Sequence, residues 1–437
     1  MADADGGLRR SIGAFGLGAT VFNTVVGAGI FVLPAALARE AGAATPLAYL
    51  ACTAIMGAVA LCFAAAGSRA PTSGGPVGYA EAAFGPFAGF LVGVLVWVAA
   101  ALAAAGIVNA LADAAARAAP AFAAAPARAL VMAAVLAMLM AVNLRGARPG
   151  TRLVEGLTVL KLLPLGLLLA AGAWAVLALP APAPMPPGEA RFGRAMLLAL
   201  FAFQGMETAL GVSGEVRDPA RAVPRGLLGA MACVAALYIV LQLVVQRLLG
   251  AALPASVAPL ADAAARVWAP LGLVLAAGTA ASLLGYLAGD VLSAPRTLYV
   301  FGRMGVLPKT FGLAGEVSGA PVAAILAHTA VVAVLALAGL AFHAGFAELT
   351  TLASLANVPV YIAGCAAAVV LQRRRLAQAG PPLTVPGLWI AALLGTAGMV
   401  WLAANAHLIE VVGLALFLGA GALLYAGRAG GRRLAAG

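Results

Sequence analysis

Charge is what this sequence has least of. Of its 437 residues only 9% are Asp, Glu, Lys or Arg, while 64% are hydrophobic; a soluble domain carries roughly a quarter charged residues. That scarcity excludes an ordinary soluble enzyme or scaffold. Cysteine is thin as well: Cys52, Cys62, Cys233 and Cys365 sit singly in apolar runs. Neither disulfide-type pairing nor metal-ligand spacing is present, so they read as packing residues. The three histidines, His328, His343 and His407, are too far apart in sequence to suggest a metal cluster. No nucleophile–base set stands in the apolar spans, so an enzyme is not expected, and neither is a cofactor. Acidic residues are fewer than basic ones, giving a net charge of +11. On a membrane chain that excess reports orientation rather than nucleic-acid binding. The N-terminus has no signal-peptide cleavage pattern, and its first apolar run is too long for an h-region.

What the sequence has is long apolar runs. Twelve are expected to span a bilayer, at about 14–38, 44–66, 84–111, 128–144, 153–178, 194–214, 226–247, 268–295, 320–341, 349–371, 386–406 and 409–427. With the N-terminus in the cytoplasm, 18 of the 26 Lys and Arg residues fall on the cytoplasmic side and 7 outside. This bias predicts that both termini are cytoplasmic in a cell (inner) membrane protein. The segment near 179–190 is rich in Pro and Ala and predicts an extended outer spacer.

Two spans have weak centres. The run from Ser11 to Ala38 carries no charge, yet Gly27 and Gly29 stand at its middle. Glycine is among the poorest helix formers, and an unwound backbone survives in hydrocarbon only where it lines a cavity or a binding site. A bland alternative is that these glycines only pack helices, although G-x-G is not the usual small-xxx-small spacing. The sixth span repeats the pattern, with Gly205 and Gly211 flanking Glu207. Breaks five spans apart predict two five-span repeats of opposite orientation, here 1–185 and 186–375, with 376–437 carrying the last two helices. At such a break the exposed N–H groups of one half-helix attract a carboxylate, and the free carbonyls of the other attract an ammonium. An α-amino acid presents both charges.

Few ionisable residues lie within spans. Lys161 stands near the expected midplane, nine residues after Arg152, about 13 Å along a helix. A charge there requires a partner or a cavity; Lys161 is either a structural amine or a proton-carrying residue beside a transport site. Glu207 is equally deep, and reads as a gating or proton-linked carboxylate or as a helix-bonding one. Asp290 lies six residues before Arg296 and is expected near a helix end beside basic residues. Asn109, Ser282 and Asn357 are candidate pocket residues, although Asn357 equally suits a bond to a helix carbonyl. The glycine-rich loop 74–78 lacks the Gly-Lys-Ser/Thr ending of a phosphate loop.

Four stretches resemble the amino acid–polyamine–organocation (APC) superfamily in its own order: Val26–Pro34, Ala70–Pro86, Glu215–Arg225 and Ala294–Pro308. The resemblance implies an all-α membrane protein with a five-plus-five inverted repeat of the LeuT-like kind, broken helices 1 and 6, and two further helices. It implies carboxylate-binding amides at Gly27, Ala28 and Gly29, and ammonium-binding carbonyls at Val25, Phe201 and Gln204. Phe201 stands where relatives carry a gating aromatic. Lys161 resembles a helix-five lysine that replaces a sodium ion and reaches helix one and a helix-eight hydroxyl, here Ser282. Tyr286 is implied as a pocket aromatic. Met304 departs from the pattern, since many relatives have Asp before that glycine.

The expected function is secondary transport of a free amino acid by alternating access, with the proton as coupling ion or by exchange, and not with sodium. An exporter or exchanger of amines or polyamines is the main rival; it requires carboxylates at both ends of the pocket. An ion channel is a third reading, for which no pore signature is visible. The partners implied are the amino-acid substrate, the proton and the lipid bilayer, with no nucleic acid.

Overall fold

The computed structural model describes residues 12–27, 29–70, 74–180, 182–185, 191–315, 319–342, 344–378, 380–407 and 410–412, with isolated positions up to 425. Among these there is no strand; the only bridge joins Ile12 to Val216. The helices are α1 (Ala14–Val25), α2 (Gly29–Ala41), α3 (Thr45–Arg69), α4 (Pro76–Phe84), α5 (Pro86–Ala118), α6 (Ala125–Leu144), α7 (Ala147–Ala178) and α8 (Phe192–Ala202). They continue as α9 (Met206–Ala209), α10 (Pro219–Leu249), α11 (Pro259–Val267), α12 (Ala269–Ser293), α13 (Pro295–Arg303), α14 (Val322–Ala341), α15 (Phe346–Arg373) and α16 (Leu388–Ala404).

Seven described helical stretches are long and apolar enough to cross a bilayer, and the pair α1 and α2, bent by 49°, makes an eighth when counted as one broken span. Each of the first eleven expected spans overlaps at least one helix, while the twelfth, 409–427, falls largely outside the described residues. Large apolar side chains point outward from these helices, among them Leu273, Val334, Leu393, Leu394 and Trp401. In water such surfaces would aggregate; here they are the lipid-facing side of a membrane protein. Proline opens many of the helices, as at Pro86, Pro219 and Pro295, where the missing N–H is one that has no partner anyway.

The chain forms two compact units. The first comprises residues 1–95, 179–259 and 354–411; the second comprises 96–178, 260–353 and 412–437. In the first, α10 packs on α1 and α3, α2 packs on α8, and α16 packs on α3. In the second, α7 packs on α12 and α6 on α14. Three short helices, α4, α11 and α13, were not anticipated from the sequence. The glycine-rich loop before α4 allows a close backbone approach. Gly75, at φ 51°, lies so near the Glu207 carbonyl that a Cβ would come within 2.9 Å of it.

Candidate functional site

In the first unit the opening helix comes apart where its glycines fall. After α1, Val26 adopts φ −72°, ψ 67°, and the Gly27 amide donates to the Val25 carbonyl at 2.7 Å. That is an inverse γ-turn. It ends the helix by bonding the chain onto itself, so the Gly27 amide is engaged rather than bare. The Val25 carbonyl accepts a second bond, from the Tyr238 hydroxyl at 2.8 Å. Ala28 lies outside the described residues, and Gly29 begins α2. The first amides of α2 have no helical acceptor in the preceding turn.

The sixth expected span breaks at residues 203–205, between α8 and α9. Gly205 takes φ 112°, in the left-handed region, which a residue with a Cβ enters only with strain. Gly211, by contrast, lies in a 3-10 turn over Leu210–Glu215. The two breaks meet. A Cβ on Gly205 would stand 3.1 Å from the Thr24 carbonyl, and one on Gly29 would stand 3.3 Å from the Phe201 ring and 3.4 Å from Ala202 Cα. Each break therefore uses its glycine to admit the backbone or ring of the other. Phe201 is buried there, and its carbonyl accepts the Gln204 amide at 3.2 Å. The side-chain nitrogen of Gln204 is buried with no hydrogen-bond partner.

Glu207 lies in the first turn of the half-helix after that break, and both oxygens of its carboxylate are hydrogen-bonded. Oε1 accepts the Gly205 amide at 3.0 Å, and Oε2 accepts the Tyr361 hydroxyl at 3.0 Å. Asn357 approaches Oε1 at 3.5 Å. A carboxylate capping a helix start is favoured by the half-helix dipole. Tyr361 has no signal in the sequence, and the Asn357 side-chain nitrogen is directed at this carboxylate. Both lie on α15, about 150 residues from Glu207.

In the second unit α7 and α12 run against each other through two close contacts. A Cβ on Gly278 would meet Pro164 at 2.6 Å, and one on Gly285 would meet Leu157 at 3.3 Å. Lys161 lies midway between Leu157 and Pro164, and Ser282 midway between Gly278 and Gly285. Antiparallel register therefore places Lys161 and Ser282 level on one seam; both are buried. Tyr286, one turn further along α12, is partly exposed. Asn109 donates to the Ala105 and Ala336 carbonyls at 2.9 and 3.2 Å. Asp290 pairs with His328 rather than with the basic residues after α12: Oδ2 and Nε2 are 2.7 Å apart, and both side chains are buried. No group of three or more potential metal ligands occurs among the described residues.

Residues 12–415 match the family model described as amino acid permease. The serine/threonine exchanger SteT of Bacillus subtilis is 25% identical over 70% of this chain and 72% of its own length. The putrescine transporter PotE of Escherichia coli is 28% identical over 80% of this chain and 81% of its own. An uncharacterized transporter of Mycobacterium tuberculosis is 31% identical over 96% of this chain and 91% of its own. With apolar membrane-length helices and a match that spans almost all of its sequence, this chain belongs to the amino acid permease family of the APC superfamily, a family of integral membrane transporters.

Proposed function

We propose that the protein carries a free α-amino acid across the cell (inner) membrane by alternating access, driven by protons or by exchange and not by sodium, with both termini in the cytoplasm. The observation that carries this reading is the meeting of the two breaks, Gly29 against Phe201 and Gly205 against Thr24. The first amides of α2, from Gly29 onward and with Gly27 and Ala28 leading into them, receive the carboxylate. The carbonyls that end α1 and α8, those of Val25, Phe201 and Gln204, receive the ammonium. From the family resemblance, Tyr286 is proposed as a pocket aromatic and Phe201 as a gate.

Lys161, level with Ser282, serves as the coupling amine. A fixed ammonium in the place of a metal ion removes the need for sodium, and an amine that gains and loses a proton links transport to pH. Twelve spans and an inverted five-plus-five repeat over 1–185 and 186–375, followed by 376–437, accompany this reading. In its support, each compact unit draws matching parts from both halves, 1–95 with 179–259 and 96–178 with 260–353. The amine or polyamine reading needs a carboxylate directed at the substrate; Glu207 instead directs its oxygens to the Gly205 amide and the Tyr361 hydroxyl, which supports the zwitterion.

The test is uptake of labelled amino acids into proteoliposomes across pH, for the wild type and Lys161→Ala. Uptake that follows an imposed proton gradient or internal exchange substrate, ignores sodium, and loses its pH dependence in Lys161→Ala supports the reading. Sodium-dependent uptake by the wild type contradicts it.

A further inference from the structure

We propose a second binding site, for the phosphate of a net-anionic membrane phospholipid whose headgroup brings no cation against the arginines, in the turn between α15 and α16. A cavity of about 300 Å³ lies there, lined by Gln372, Arg373, Arg375, Gly387, Leu388 and Trp389 among others. Its wall is built, not loose. The Arg69 guanidinium, on a residue only 3% exposed, donates to the carbonyls of Leu376 and Leu383 at 3.3 and 3.1 Å. It also donates to Gln372 Oε1 and Thr384 Oγ1, both at 3.2 Å. Gln372 holds Val385 from both sides, accepting its amide at 3.2 Å and donating to its carbonyl at 2.9 Å. The Ser68 hydroxyl accepts the Leu383 amide at 3.1 Å.

Among the described residues the cations on this wall have no counter-charge. No Asp or Glu occurs between Glu348 and Glu410, and no ion pair to Arg373, Arg374 or Arg375 is found among the described residues. Arg375 sits at φ 52°, a conformation that disfavours any residue with a Cβ, so the turn sets a guanidinium where glycine would be easier. Two unpaired arginines on one cavity suit a phosphate, whose oxygens match the guanidinium fork.

The neighbouring surface points to lipid as the source. Trp389 is 57% exposed, and Ile390, Leu393 and Leu394 behind it present apolar faces outward. Tryptophan favours the headgroup level of a bilayer, and basic pockets between helices there take anionic headgroups. The phosphate is thus held by Arg373 and Arg375, with the acyl chains along α16.

The test is native mass spectrometry of the full-length protein in detergent, titrated with phosphatidylglycerol, with phosphatidylcholine of the same chains, and with inorganic phosphate. The expected result is retention of phosphatidylglycerol at least tenfold over phosphatidylcholine, with a loss of about tenfold in the Arg373→Gln/Arg375→Gln double variant. An Arg145→Gln/Arg303→Gln variant removes equal charge elsewhere and is expected to keep the lipid. Size-exclusion profiles and thermal unfolding confirm that both variants are folded; if the first is not, Arg373→Lys/Arg375→Lys, which keeps charge but loses the fork, is expected to retain phosphatidylglycerol several-fold more weakly than the wild type, and unchanged retention overturns the site. Equal retention of the two lipids, or equal loss in the control variant, overturns the site. Displacement of phosphatidylglycerol by millimolar inorganic phosphate assigns the cavity to a free anion and overturns the lipid reading.

Discussion

Gly205 sits at φ 112° with the Thr24 carbonyl where its own side chain would be, 3.1 Å from the position of a Cβ. The obstacle is backbone, which cannot step aside as a rotamer can. Gly205→Ala is therefore expected to lose about 1–3 kcal/mol from conformational strain alone, seen as a lower unfolding temperature in detergent together with lost uptake. At Gly29 the near atoms are mainly side-chain tips, Leu33 Cδ1 at 3.2 Å and the Phe201 ring at 3.3 Å. Gly29→Ala is expected to unfold close to the wild-type temperature but to show a raised KM, since the added methyl stands over the amides proposed to bind the carboxylate. Equal destabilisation by the two variants would contradict this distinction.

Tyr238 donates to the Val25 carbonyl at 2.8 Å, one of the carbonyls proposed to receive the substrate ammonium. The hydroxyl and the ammonium then compete. Tyr238→Phe is expected to lower KM for amino acids while costing about 0.5–1.5 kcal/mol of stability, the worth of one hydrogen bond. An unchanged or raised KM would argue that the carbonyl is structural only.

The bonds to Glu207 are unequal. Tyr361 reaches Oε2 at 3.0 Å, whereas Asn357 stands 3.5 Å from Oε1 and its own Oδ1 is buried with no partner. Tyr361→Phe is expected to cost about 1–3 kcal/mol, because it leaves a buried acceptor without its donor, and Asn357→Leu distinctly less. Thermal or denaturant unfolding of the two single variants checks the order.

Asp290 and His328 form a buried pair at 2.7 Å. Removing one partner strands the other, so His328→Ala is expected to destabilise by about 3–5 kcal/mol. The paired replacement Asp290→Leu/His328→Phe removes both polar groups and is expected to recover most of that loss. A single variant as stable as the wild type would show that the pair contributes little.

The parts of this structure that were legible from sequence are those whose signal is local. Gly27 and Gly29 in an uncharged run mark the first break because glycine weakens a helix wherever it stands. Gly205 marks the second for the same reason, while Gly211 gave the same signal and lies in a 3-10 turn; glycine alone does not say which weak point opens. The pairing of Glu207 with Tyr361, or of Asp290 with His328, depends on helices far apart in the chain, and nothing beside either residue announces its partner. The engaged state of the Gly27 amide was hidden too, because a γ-turn leaves no composition signature. The short helices α4, α11 and α13 escaped because a bilayer-length apolar window averages over them.

Whether the two breaks grip both charges of a zwitterion is tested most directly by ligand-induced thermal stabilisation of the purified protein. The panel is a stabilising amino acid, its methyl ester, its N-acetyl derivative and putrescine. Only the intact amino acid is expected to raise the unfolding temperature, because blocking either end leaves one set of peptide groups without its charge. Equal stabilisation by the methyl ester or by putrescine would show that the carboxylate is not recognised, and would contradict the zwitterion site.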